Sequence, residues 1–127
     1  MARKRSVTLT EVEQRLMEVL WAKGRASVAE VLDALSKRPR PAFNTVQTTL
    51  RILEQKGYVR HEEAGRAFVY YPLVDKASVS RAAVKQLLTR FFDDSAGKLA
   101  VNLLADADLT SDELARVERM IAEAKRR

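Results

Sequence analysis

The sequence predicts a mainly α fold carrying one small β-hairpin. Three observations predict it. Capping-box spacing recurs at Thr10-Glu11-Val12-Glu13, Ser27-Val28-Ala29-Glu30 and Thr110-Ser111-Asp112-Glu113, each ahead of apolar residues at helical spacing. Two runs rich in β-branched and aromatic residues flank Glu62-Glu63-Ala64-Gly65-Arg66. The 127 residues are 46% hydrophobic and 31% charged, a balance that suits a folded domain rather than a disordered chain.

The elements follow in order. A first helix starts at Thr10 and presents Val12, Leu16, Val19 and Leu20 along one stripe, and Gly24 stops it. A second opens at Ser27 with Val28, Val31, Leu32 and Leu35 inward. The basic, proline-marked stretch Lys37-Arg38-Pro39-Arg40-Pro41 reads as a loop. A third helix runs from about Asn44 to Gln55 and ends at Lys56-Gly57, where glycine suits a left-handed cap. Two short strands are expected at about Tyr58–His61 and Ala67–Tyr71, with Pro72 closing the second and a short β-contact near Arg25-Ala26. Asp75 caps a long helix reaching about Phe92, and a shorter helix covers Ser95 to about Leu104. The last helix starts at Thr110, with Leu109 and Leu114 at the two hydrophobic-staple positions.

Three helices and then a hairpin make an N-terminal winged helix-turn-helix, expected over residues 1–73. Val46, Leu50 and Leu53 hold the third helix to the core, while Asn44, Gln47, Thr48 and Arg51 project from its other side. Asn or Gln suits adenine, Arg suits guanine, and Thr suits a phosphate or a thymine methyl. Arg66, at the hairpin tip, is placed to reach the backbone or minor groove. The plainer reading of that polar face is a solvated helix surface; the adjacent hairpin and the charge distribution favour double-stranded DNA.

That charge is uneven. The net charge of +6 divides into +5 over residues 1–73, from 13 Lys/Arg against 8 Asp/Glu, and +1 over residues 74–127, from 10 against 9. An electrostatic role therefore belongs to the first part. Residues 74–127 read as a C-terminal helical dimerisation domain, because its helices are too few to close a core alone. Leu87, Leu88, Phe91, Leu114, Val117 and Ile121 are the expected contact residues with a second copy, the alternative being that these helices fold back on the first part. With no cysteine, disulfides, thiolate metal sites and thiol nucleophiles are excluded. No apolar run approaches the roughly 18 residues of a membrane span, so no membrane insertion and a cytoplasmic location are expected.

Several stretches together resemble the BlaI/MecI penicillinase-repressor family over nearly the whole chain. They are Glu-x-x-x-Met-x-x-Leu-Trp (Glu13 to Trp21), Asn44-Thr45-Val46-Gln47-Thr48, Leu53-x-x-Lys-Gly, and the wing Gly65-Arg66-Ala67-Phe68-Val69-Tyr70-Tyr71-Pro72. The resemblance implies a homodimeric transcriptional repressor on operator dyads, with a candidate DNA-binding set of Asn44, Thr45, Gln47, Thr48, Arg51 and Arg66. In antibiotic-responsive members a membrane metalloprotease receptor triggers repressor cleavage between Asn and Phe in the short helix of the dimerisation domain. The matching pair here is Asn102-Leu103, which keeps an apolar residue after the cut but not the phenylalanine. Asn102 is also polar within the otherwise apolar run Leu99 to Leu104; facing outward or bonding within an interface would equally account for it. The copper-responsive branch uses C-terminal cysteines, which this chain lacks, and members often carry Arg or Asn where this sequence has Ile52.

Other classes fit less well. The single histidine, His61, falls in a strand beside the wing and has no catalytic partner evident in sequence, so an enzyme is not expected. No metal and no cofactor are expected either. The alternative function is a winged-helix regulator released from DNA by a small-molecule ligand, which would need an apolar cavity.

Overall fold

The computed structural model describes residues 9–35 and 40–127. Its elements are α1 (Glu11–Lys23), β1 (Ala26–Ser27), α2 (Val28–Ala34), α3 (Phe43–Gln55), β2 (Val59–Ala64), β3 (Ala67–Pro72), α4 (Lys76–Phe91), α5 (Ala96–Asp106) and α6 (Ser111–Lys125). Of the expected proline-marked loop, Lys37, Arg38 and Pro39 lie outside the described residues, while Arg40 and Pro41 are non-helical.

All three capping boxes form. The Thr10 hydroxyl accepts from the Glu13 N–H at 3.1 Å, and the Glu13 carboxylate accepts from the Thr10 N–H at 2.8 Å. Ser27 with Glu30 and Thr110 with Glu113 repeat the arrangement at the starts of α2 and α6. Such caps supply acceptors for helix N–H groups that have no intrahelical partner, each contributing about 1 kcal/mol. At the other end of α1, Gly24 turns the chain at φ 83° and donates to the Leu20 carbonyl. Gly57 does the same after α3 at φ 89°, a conformation that a side chain would strain.

The core lies between α1, α2, α3 and the sheet. Leu16, Met17, Leu20, Val31, Val46, Leu50 and Leu53 are fully buried there, together with Tyr58, Val59 and Tyr70. Val12 and Val19, expected in the α1 stripe, are only partly buried, while Glu13 and Met17 are buried, so the covered face centres nearer Leu20. Thr49 is the polar member of the α3 core face; its hydroxyl donates to the Thr45 carbonyl at 2.7 Å, which satisfies the group within its own helix.

The sheet has three antiparallel strands in the order β1-β3-β2. Ala26 pairs with Tyr70 and Ser27 with Val69, so the short contact expected near Arg25-Ala26 is a true strand. The hairpin register runs from Val59 opposite Pro72 to Ala64 opposite Ala67, with Gly65 at φ 64° in the turn. The second strand therefore extends three residues past His61, and Tyr58 belongs to the turn before it, where it is buried.

Two compact units divide the chain between Gln86 and Leu87. The first thus continues beyond residue 73, the expected end of the winged-helix part, because the start of α4 is bonded into it. The Trp21 indole N–H donates to the Val74 carbonyl at 2.8 Å, Lys76 pairs with Glu18 at 3.0 Å, and Val79 packs on the core. The second unit contains the end of α4 with α5 and α6. None of these three helices has a buried residue in the single chain.

Candidate nucleic-acid interface

The outer surface of α3 follows from its pitch. At 100° per residue, Val46, Thr49, Leu50 and Leu53 point to the core, so Asn44, Thr48 and Arg51 must point away. All three are exposed, as is Thr45 at one edge of that face. Gln47 lies at the other edge and is half-buried. That second edge is a ridge with a spacing of four, four and three: Phe43, Gln47, Arg51 and Glu54. It faces the wing.

Between this ridge and the wing lies a cleft of about 410 Å³. Phe43, Gln47 and Arg51 line it from α3, and Arg66 and Phe68 line it from the wing. The fold thus brings Arg51 and Arg66, fifteen positions apart in sequence, into the lining of one cleft, which the start of α2 also borders. Asn44, Thr45 and Thr48 share the outer face of α3 but do not line the cleft. Two guanidinium groups beside an open polar helix face form a surface suited to polyanion backbone and base edges together.

Two aromatic residues in the cleft were not among the expected site residues. Phe43 is 45% exposed and Phe68 is 40% exposed. Phe43 sits at the first position of α3, where its angle lies close to the core stripe but the core no longer covers it. Phe68 was visible in sequence as a wing residue, yet alternation alone does not say which face of a hairpin is covered.

His61 has a defined place. Its ring stacks on Phe68 with centroids 4.3 Å apart and planes 19° from parallel. Its Nδ1 lies 2.8 Å from the Glu54 carboxylate, and its backbone N–H donates to the same carboxylate at 3.1 Å. Tyr70, buried beneath, has its phenol pushed up first by burial and then by the nearby Glu54 charge.

The expected dimer-contact residues all lie in the second unit. Leu87, Leu114 and Ile121 are each exposed by more than two fifths and Phe91 by 66%, while Leu88 and Val117 are half-buried. Asn102 and Leu103 are exposed on α5. Among the described residues no group of three or more His, Asp or Glu side chains could hold a metal ion, and no helix is long and apolar enough to cross a membrane.

The helix pair α2–α3, the three-stranded sheet and the arginine-tipped wing define a winged helix-turn-helix of the DNA-binding repressor class. The chain belongs to the penicillinase repressor family, whose model matches residues 9–123. The penicillinase repressor of Bacillus licheniformis is 28% identical over 98% of this chain and 97% of its own length. The methicillin resistance regulatory protein MecI of Staphylococcus aureus (strain N315) is 20% identical, over 89% of this chain and 92% of its own. Among solved structures, the DNA-binding domain of the repressor BlaI is 33% identical with a TM-score of 0.52, covering 59% of this chain and 92% of that domain. A MarR variant from E. coli, solved with operator DNA, shares the fold at a TM-score of 0.52 and 16% identity, covering 93% of this chain and 76% of its own.

Proposed function

We propose that this protein is a homodimeric transcriptional repressor of the cytoplasm that occupies operator dyads. The observation that carries the reading is the cleft itself, with Arg51 on the polar ridge of α3 and Arg66 on the facing wing. In this reading Asn44, Gln47, Thr48 and Arg51 enter a major groove and read base edges, and Thr45 and Arg66 contact the backbone. The apolar side chains Leu87, Leu88, Phe91, Leu114, Val117 and Ile121 meet a second copy, so that two winged helices address two half-sites. Release follows from a cut between Asn102 and Leu103, made by a protease under the control of a membrane receptor. Family membership and the exposure of both residues support that route. DNase footprinting on the promoter region of its own gene, at low salt, tests the DNA-binding core of the reading.

One observation favours a second reading, release by a small-molecule ligand. A hollow of about 240 Å³ lies beside α1 and the start of α4, with Leu9, Trp21 and Val79 among its lining and the Glu18–Lys76 pair at its edge. Induction of the target genes with the repressor still full-length would favour this reading over proteolysis.

A further inference from the structure

The far half of the wing has little to hold it. β1 pairs with β3 only at Ala26–Tyr70 and Ser27–Val69, so beyond Val69 the hairpin is two-stranded. A two-stranded hairpin is marginal in water without further packing. Among the described residues, two polar side-chain links reach β2 from outside the hairpin, both at the last three-stranded positions, where His61 lies opposite Tyr70 and Glu62 opposite Val69. Arg25 pairs with Glu62 at 3.2 Å, but both side chains are about 60% exposed, and such a pair contributes little. The other link is Glu54, which takes both the backbone N–H and the ring nitrogen of His61.

We propose that Glu54 and His61 are positioning residues for the wing: together with the stacked Phe68 they fix Arg66 against α3. The chain of contacts is continuous. Glu54 lies on the same α3 ridge as Gln47 and Arg51, one turn toward its C-terminal end. It holds His61 at two points, which fixes the ring plane as well as the strand. The ring then supports one face of Phe68, the second residue after Arg66 on the strand that leaves the turn. Recognition helix and wing tip are thereby set at one separation, which is what a rigid duplex with a fixed groove spacing requires. The inference rests on the DNA-binding reading above.

The arrangement has a consequence that simple electrostatics does not. Glu54 is an acid beside a surface proposed to meet phosphates, so deleting it should tighten DNA binding if charge alone mattered. As a positioning residue its loss weakens binding instead. The experiment measures duplex affinity of the full chain across a salt series for wild type, Glu54→Ala, Glu54→Gln, His61→Ala, Arg66→Ala and the His61→Ala/Arg66→Ala double variant. Circular dichroism melts run in parallel. Losing one phosphate contact flattens the logarithmic salt dependence by about 0.9 unit. Glu54→Ala and His61→Ala are expected to show that flattening although neither removes a cation known to touch DNA. Glu54→Gln, which keeps an acceptor oxygen, recovers most of the slope. The double variant is no weaker than Arg66→Ala alone, because there is no wing contact left to misplace. Tighter or unchanged binding by Glu54→Ala, or additive losses in the double variant, would overturn the inference. If Glu54→Ala fails to fold, the His61→Ala and Glu54→Gln comparisons decide the matter. Absence of binding by the wild type would instead remove the DNA reading on which the inference stands.

Discussion

Glu13 on the first turn of α1 and Lys56 at the C-cap of α3 form an ion pair at 2.9 Å, with the Glu13 side chain 4% exposed and Lys56 28% exposed. Glu13, which also closes the capping box with Thr10, thereby ties the start of α1 to the end of the proposed recognition helix. Removing Lys56 would leave a buried carboxylate with only its cap bonds. Lys56→Met is expected to cost about 2–3 kcal/mol, below the 3–5 kcal/mol typical of a fully buried pair because Lys56 reaches solvent. Urea unfolding against the Glu13→Gln/Lys56→Met double variant isolates the pair, and an additive double variant would show that the two groups do not interact.

The same pair sets the acid limb of stability. Burial pushes the Glu13 carboxyl up, but the Lys56 hydrogen bond and charge and the Thr10 bonds outweigh it and hold the group below its ordinary value of 4.5. A carboxylate lowered in the folded state stabilises that state above its unfolded value and loses the contribution as pH falls. Glu30, Asp75 and Glu113 are lowered as well, by N–H and hydroxyl bonds at helix starts. Thermal stability should therefore be flat near neutrality and decline as pH drops through and below 4.5. The deficit of Lys56→Met relative to wild type should shrink over that same range, and a deficit independent of pH would contradict the assignment.

Arg51 and Arg66 face one cleft but are assigned different work. Arg51→Ala should relax sequence preference and cost about 1–3 kcal/mol on the preferred site if its guanidinium pairs bidentately with a guanine. Arg66→Ala should weaken all duplexes alike and flatten the salt dependence by about 0.9 unit. Competition binding with scrambled duplexes separates the two. Equal loss of preference from both variants would argue against the division.

Covering the exposed apolar side chains of the second unit between two copies would contribute about 1.5–3 kcal/mol for each one fully buried, before the cost of association. Leu114→Glu or Val117→Glu should then give monomers in sedimentation and weaken operator binding steeply, since a monomer forfeits the effective-concentration gain of the dimer. A variant that stays dimeric places the interface elsewhere.

Cleavage at Asn102-Leu103 would separate α6 and the end of α5 from the rest of the second unit while leaving the winged helix intact. An immunoblot of the native host before and after β-lactam exposure should show loss of full-length protein in step with induction, and less loss for Asn102→Asp. Persistence of the full-length chain during induction would exclude proteolysis.

Much of this architecture was legible because it is local. Capping boxes at Thr10, Ser27 and Thr110 and the stopping glycines Gly24 and Gly57 are read from adjacent residues, and each formed as expected. What escaped was set by contacts distant in sequence. Met17 is fully buried on α1 where Val12 is only partly so, a shift of the covered face that the helical period does not give. The start of α4 joins the first unit because Trp21 reaches Val74, 53 positions away. The role of His61 depended on Glu54 and Phe68 converging on it from two other elements, and no spacing rule encodes that meeting. The outward residues of α3 were visible from its period alone, whereas the cleft that groups Arg51 with Arg66 required the hairpin's placement.

The central claim, that α3 and the wing bind duplex DNA as a two-fold pair, is tested most directly by hydroxyl-radical footprinting on the promoter region of the protein's own gene. The account predicts two protected patches related by a dyad, their centres separated by about 10 base pairs or a multiple of that. It predicts that both patches vanish together in Arg51→Ala and thin together in Arg66→Ala. Absence of protection at low salt, or a single patch without two-fold symmetry, would contradict it.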